Sequence, residues 1–570
     1  MEIKRPKIQL LIFIAVYLSA ITVALRLISM NNVFEIKKHL KTLIPIFLEI
    51  NFLLIIIGLI INFGIFKKIF TQLLSKKKIF WLLTICLIGV LFSAFFPKRT
   101  HRIYYDEDIY LHIAQNLNYE RKAQMCNYGT NEYGEFKCFQ GEYNKEPYGY
   151  PYIVSLMFRI FGCNEIAAHI LNNIIYGFSI LVIFLIVFTL FESVTTAFYS
   201  SLIFLLIPQN LIWSNTASVE LSASFFTGFA LFILFLYLKE RKTTLLFLTF
   251  VILPFSVQFR PESILVLFLV FFSILFIGFN ALKMPVFYGM GGMLFLALIP
   301  HLFHLYAVRG EPWGSIEAKF GLKYIAYNLK TNVFFYLDNH EFPLLFTILA
   351  ILGLLTAIGW KKKIIVSMWF LLFWGIFIPF YAGSYQYGAD VRFSLVSYMP
   401  LAIFSGLGIE WTLKKLKKGS NNKWSQFIPI VIVGFTFLSF LPFIQSTGEE
   451  AWGARADHLY AKKFSELLPK NSLILTHNPN MFLLWGKSAA QTSLVFNNPA
   501  FVENVFERFG GGIYFHYNFW CNVNDPHQNQ FCQNILDRFE TQLIKEYHER
   551  NYRFALYKVF IQDTKSRNNE

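Results

Sequence analysis

The stretch AAHILNNIIYGFSILVIFLIVFTLF, Ala167–Phe191, decides the fold: 25 residues pass without an Asp, Glu, Lys or Arg. A helix needs roughly 20 mainly apolar residues to cross a hydrocarbon core about 30 Å thick, and this run is long enough by itself. Working outward, apolar runs recur at Ile8–Ile28, Leu43–Phe66, Ile79–Phe96, Thr195–Trp213, Leu221–Leu238, Leu245–Val257, Ile264–Phe279, Val286–Tyr306, Phe342–Ile358, Ile364–Tyr381, Ser394–Trp411 and Phe427–Phe443. About thirteen spans are therefore expected, in a polytopic α-helical membrane protein. Composition agrees, because 55% of the 570 residues are hydrophobic and only 15% charged, which excludes a soluble protein of this size.

The net charge of +16 does not point to nucleic acid, because the basic residues sit in short clusters between apolar runs. Such clusters mark cytoplasmic loops. Lys4, Arg5 and Lys7 precede the first run, and further clusters occur at Lys67–Lys68 with Lys76–Lys78, Lys239–Lys242, Lys361–Lys363 and Lys414–Lys423. With the N-terminus inside, all of them fall on one side; Lys37, Lys38 and Lys41 are the exception. Ile8–Ile28 is long for the apolar core of a signal peptide and reads as a retained anchor. This count requires Tyr148–Phe161, which is short for a span, to lie along the outer interface. It also puts the C-terminal region outside the cell membrane.

Three regions are expected: a two-span N-terminal extension (1–78), a main transmembrane region (79–445) with a large outer loop at 97–166, and an extracytoplasmic soluble α/β domain (446–570). In that domain Asp457–Leu468 and Asn534–Glu549 read as helices, and Ser472–Thr476 and Arg553–Val559 as strands. Cys126 with Cys138 and Cys521 with Cys532 form local pairs on the expected outer side, where an oxidising compartment closes disulfides. Cys86 and Cys163 lie in or beside membrane segments and read as free thiols.

The strongest chemical signal is Tyr104-Tyr105-Asp106-Glu107-Asp108-Ile109-Tyr110, just outside the third run. Three adjacent carboxylates repel one another, so the cluster serves a cation, a general base, or simple solvation at a helix N-terminus. Further on stand Asn144-Lys145-Glu146-Pro147-Tyr148-Gly149-Tyr150-Pro151-Tyr152, Phe158-Arg159-Ile160-Phe161-Gly162, Phe259-Arg260-Pro261-Glu262 and Tyr385-Gln386-Tyr387-Gly388-Ala389-Asp390-Val391-Arg392-Phe393. In order and sidedness these stretches resemble the GT-C superfamily of membrane glycosyltransferases, in particular the protein O-mannosyltransferase and lipid A aminoarabinose transferase types. Leu475-Thr476-His477-Asn478-Pro479 resembles the extracytoplasmic domain that some members carry. The two extra N-terminal spans depart from the commonest family pattern.

The resemblance implies inverting transfer of a sugar from a polyprenyl (dolichyl or undecaprenyl) monophosphate to a protein, lipid or glycan acceptor on the outer side. Asp106 matches the family's base position, and Glu107 would position it or a cation. No cofactor is required; a divalent cation is an option, held by Asp106 and Glu107, and no metal site is assigned. Arg392 and Arg260, at expected outer ends of spans, are candidates for the donor phosphate, because a guanidinium fork matches phosphate geometry; the alternative is snorkelling to the interface. Asp108, Tyr105, Lys145, Tyr148 and Asp390 are candidate substrate contacts.

Other polar residues are less informative. Lys145, Arg309, Lys319 and Lys323 are weaker phosphate candidates whose alternative is a solvated loop charge, with Arg309, Lys319 and Lys323 in a second outer loop that also holds Trp313. Glu49 and Asn51 mark a helix contact, Glu220 an exposed helix-start carboxylate, His301 and His304 the interface, and Asp457-His458 a surface helix. The competing functional classes are a transporter or lipid flippase, which would place charges near the midplane within internal repeats, and a non-catalytic receptor or assembly protein.

Overall fold

In a computed structural model of the chain, residues 6–560 are described except 31, 74, 133, 312, 313, 316, 358, 387, 420–427 and 499. Lys4, Arg5, Trp313, Tyr387 and Lys423 thus lie outside the described residues, and of Lys7, Lys417 and Lys418 only the backbone is described.

Each of the thirteen apolar runs carries helix. Among the described residues, seven helices are long and apolar enough to cross a membrane: Val33–Ile61, Lys76–Phe95, Glu165–Phe191, Glu220–Glu240, Pro285–Ala307, Asp390–Leu416 and Ile428–Gln445. An eighth span arises if Val194–Leu206 and Pro208–Ser214, bent by 62°, are taken together. The bend has a local cause, since a residue before proline is pushed out of the helical region and Ile207 is extended (φ −68°, ψ 117°) ahead of Pro208. The other runs make shorter helices, such as Thr243–Ser256 and Leu344–Leu355, so helix length alone does not reach the thirteen expected.

Two compact units emerge. The first comprises 1–99, 145–150 and 169–447, the second 100–144, 151–168 and 448–570. In the first, helices approach through small residues, which is how helices associate in an apolar solvent. A Cβ on Gly353 would lie 1.9 Å from the Phe404 carbonyl oxygen, and one on Gly408 2.1 Å from that of Leu349. The two N-terminal helices pack here too. Tyr17 donates its hydroxyl to the Tyr288 carbonyl at 2.8 Å, and Asn62 exchanges hydrogen bonds with Thr244, donating to its carbonyl at 3.0 Å and accepting from its hydroxyl at 2.7 Å.

The second unit is built on one seven-stranded sheet: β1 (Met125–Glu132), β2 (Glu135–Glu142), β3 (Leu473–Thr476), β4 (Ser488–Gln491), β5 (Ile513–Tyr517), β6 (Glu540–Glu549) and β7 (Tyr552–Phe560), in the order β2-β1-β4-β3-β5-β7-β6. β3 runs parallel to β4 and β5; the remaining pairs are antiparallel. The central strands alternate between two buried faces, Leu473 and Leu475 on one and Ile474 on the other, as expected for a sheet covered on both sides.

Two expectations need correction. The outer loop was assigned to the membrane region, yet its hairpin pairs through Tyr128 with Ala490 and Gly129 with Ala489, so its strands belong to the sheet of the C-terminal region. Asn534–Glu549 is not one helix: the helix is Pro526–Arg538, and Glu540–Glu549 is strand β6. The turn explains it. Arg550 and Asn551 both take positive φ, 49° and 65°, the pattern of a two-residue hairpin whose twist suits paired strands. β6 resembles a polar helix because it is an edge strand protected by charge.

Cys126 is joined to Cys138 across the β1–β2 hairpin, and Cys521 to Cys532 across the core beside β5; Cys86 and Cys163 are free.

Candidate functional site

Within the membrane unit, three separate stretches bring charge to one point. Glu220 opens the helix Glu220–Glu240, Arg260 immediately precedes the 3-10 turn Pro261–Ile264, and Arg392 lies in the 3-10 segment Gly388–Ser397. Glu220, expected to be exposed, is 2% exposed. Its carboxylate accepts from Arg260 and lies 3.1 Å from Arg392 Nε as an ion pair. Glu262 holds the Nε of Arg260, and Asp390 stands 3.5 Å from Arg392 Nη1. Both guanidinium groups lie over the Phe393 ring, each 4.9 Å from its centroid. Neither arginine is a lone snorkelling residue; a buried carboxylate bridges them, and an aromatic face backs both.

Tyr148 and Lys145 belong to the same unit. Tyr148 is buried, its ring 5.7 Å from that of His304. The next residue, Gly149, donates its N–H to the Gln258 carbonyl at 2.7 Å, and a Cβ there would lie 2.7 Å from that oxygen. Only glycine permits this approach, which ties the Pro147-Tyr148 segment to the strand of chain leading into Arg260. Lys145 is half-buried. His301 and His304, expected at the interface, are buried at 0% and 1% exposure.

The second unit holds the acidic motif. Asp106 is the first residue of the helix Asp106–Tyr119 and is half-buried. Glu107 is fully buried and accepts from the backbone N–H groups of Arg102 (2.6 Å) and Ile103 (3.1 Å). It shapes the turn that presents Asp106. Asp108 is not open to substrate: it is 1% exposed, with Oδ1 3.1 Å from His458 Nδ1 and Oδ2 3.8 Å from His101 Nδ1. On the other edge of its ring, His458 Nε2 is 3.4 Å from Glu165 Oε1. Tyr105 is buried and donates its hydroxyl to Asp457 Oδ2 at 3.0 Å, and His516 Nε2 lies 3.4 Å from Asp457 Oδ1.

Electrostatics follow this packing. Burial alone would lower the pKa of the His458 imidazole, but the Asp108 and Glu165 carboxylates outweigh it and raise it to about 10. Burial pushes Asp457 up to about 7.

The surface-helix reading of Asp457-His458 is therefore wrong. Its signal was present: Gly453, Asp457, Tyr460 and Phe464 recur at helical spacing on the buried face of Trp452–Leu467, so a carboxylate interrupts the apolar stripe. His101, Glu165 and His516 carried no comparable signal, being far apart in sequence. Ligand atoms of His101, Glu165 and His458 lie within 4.8 Å of one another. In the other such set, His477 with Cys521 and Cys532, the sulfurs are already joined.

Residues 145–304 match the family model described as dolichyl-phosphate-mannose-protein mannosyltransferase. This stretch includes Lys145, Tyr148, Glu220 and Arg260. The crystal structure of ArnT from Cupriavidus metallidurans bound to undecaprenyl phosphate superposes with a TM-score of 0.54 at 11% identity, covering 84% of this chain and 98% of that one. The chain has the fold of the GT-C membrane glycosyltransferases. The apo structure of the same ArnT gives a TM-score of 0.52 at 10% identity, over 84% and 97% of the two chains. Comparison of the sequence with curated proteins returns no match. Both the Tyr148 segment and Arg260 fall inside the stretch that the family model matches, and Asp106 and Arg392 fall outside it.

Proposed function

We propose that the chain is an integral membrane glycosyltransferase that moves a sugar from a polyprenyl monophosphate to a protein, lipid or glycan acceptor on the outer side, with inversion. The observation that carries this reading is the convergence of Arg260 and Arg392 on the buried Glu220 over Phe393. Negative charge grows on the lipid phosphate as it leaves, and fixed guanidinium groups stabilise it without reorganising at that moment. The carboxylate bridge sets their spacing in advance. The fold shared with ArnT, whose structure was determined with undecaprenyl phosphate, supports a donor of that class.

The acceptor loses a proton as it attacks the anomeric carbon, and Asp106 is assigned as the base that takes it. Glu107 is a positioning residue, acting through the 102–107 turn. The thirteen-span topology with a cytoplasmic N-terminus rests on the apolar runs and the basic clusters between them, and the two closed cysteine pairs suit an oxidising outer compartment.

The test is incubation of the purified protein with a panel of polyprenyl-phosphate sugars, following release of the lipid phosphate. Asp106→Asn is expected to lower the rate by roughly 10²- to 10⁴-fold, the range for a general base, with membrane insertion intact. Full activity in that variant would remove the base assignment, and no release from any donor would remove the transferase reading.

A further inference from the structure

The cluster of His101, Asp108, Glu165 and His458 lies within the second unit and has no part in the transfer chemistry above. His101 is 5% exposed, and neither of its ring nitrogens has a hydrogen-bond partner. A buried imidazole left so costs stability unless something else satisfies it. We propose that His101, His458 and Glu165 bind a divalent transition-metal ion of the zinc class, with Asp108 orienting both imidazoles.

The geometry points to this division of roles. Asp108 faces the Nδ1 atoms of both rings, at 3.1 Å for His458 and 3.8 Å for His101. That leaves the Nε2 atoms to face away from it, and His458 Nε2 already lies 3.4 Å from Glu165 Oε1. The two rings are side by side, with centroids 4.2 Å apart and planes inclined by 36°. Bonds of about 2.0–2.2 Å place tetrahedral ligand atoms roughly 3.4 Å apart, the spacing of the His458–Glu165 pair, and the ligand atoms of all three residues lie within 4.8 Å of one another. Trp485 Nε1–H donates to Glu165 Oε1 at 2.6 Å, and Lys462 Nζ stands 3.7 Å from the same oxygen; the first fixes the carboxylate and the second lies at the more exposed rim. A carboxylate holding the far nitrogen of a ligating histidine is the usual second layer of such a site.

Charge gives the same answer. Two neutral imidazoles and the carboxylates of Asp108 and Glu165 sum to −2, and Lys462 at the rim brings the cluster to −1, so it still favours a cation. The competing occupant is a proton: a charged His458 would satisfy the two carboxylates only in part and leaves His101 unexplained. Two nitrogen donors and one oxygen suit zinc or its neighbours and not magnesium or calcium.

The full chain, purified in detergent without a histidine tag and stripped with chelator, is to be equilibrated with Zn²⁺ or with Co²⁺. Bound zinc is measured by elemental mass spectrometry and cobalt by its visible absorption. The expected result is one equivalent per chain, lost in a His101→Ala/His458→Ala variant and weakened roughly 10- to 100-fold in Asp108→Asn. If the wild type binds no cobalt above the level of the double variant, the proposal fails and the cluster is a histidinium ion pair. Should the double variant not fold, Asp108→Asn decides, and unchanged affinity there is equally fatal. No sugar transfer enters these readouts, so they stand or fall independently of the transferase reading.

Discussion

Arg392→Lys keeps the charge and removes the fork. In the structure Arg392 Nε reaches Glu220 at 3.1 Å while Nη1 stands 3.5 Å from Asp390. Lysine offers one compact ammonium that cannot span both carboxylates and a phosphate together. The contact at 3.5 Å is weak, so the close Nε–Glu220 ion pair is what is lost, together with the alignment of the two guanidinium groups. Hydrogen bonds to charged groups are worth about 1.5–3 kcal/mol; taking about 2–3 kcal/mol in the transition state gives a fall of roughly 30- to 150-fold in kcat/KM for the lipid donor. The assay is the initial rate of lipid-phosphate release over a range of donor concentrations, with thermal unfolding measured alongside. Lysine is the better probe than alanine, because alanine also removes the packing of the guanidinium on Phe393. A folded Arg392→Lys protein whose donor kcat/KM stays within threefold of wild type would refute the assignment of this pair to the leaving phosphate.

Gly353→Leu is expected to destabilise the membrane unit by about 1–3 kcal/mol or more, because its Cβ would overlap the Phe404 backbone. Gly375→Leu, where a Cβ meets nothing within 4 Å, is the control, and equal melting temperatures in detergent would contradict the helix crossing described. Replacing Cys521 and Cys532 by serine is expected to cost about 3 kcal/mol, the scale for a short closed loop, read as a lower unfolding temperature of the second unit. Thiol labelling of the denatured, unreduced wild type is expected to modify two of its six cysteines, Cys86 and Cys163; six would disprove both bonds.

Much of the architecture is legible because the bilayer imposes a simple length and polarity rule. Each apolar run carries helix, and the short strands Leu473–Thr476 and Tyr552–Phe560 lie where alternation puts them. The runs do not reveal how long each helix is, since a proline such as Pro208 breaks a helix within apolar sequence. β6 was misread because a charged edge strand and a solvated helix share composition. At the site, Arg260 and Arg392 were visible as arginines at span ends, but their shared partner was not: Glu220 is one carboxylate at a helix start, and only tertiary packing brings the other two elements to it. The same holds for His458, whose partners Asp108, Glu165 and His101 come from separate parts of the chain.

The sheet has a bearing on how the protein is made. β1 leaves the ribosome early, directly ahead of β2, its partner in a hairpin closed by its own cross-link. Its other edge pairs with β4, near residue 490, with most of the membrane helices still to be synthesised in between. At roughly 5–20 residues per second, that wait is on the order of tens of seconds. During it β1 presents an unpaired edge, the kind of surface that recruits stray strands. Chains cut short before β4 never cover it, so truncation anywhere in the intervening helices leaves the same edge open.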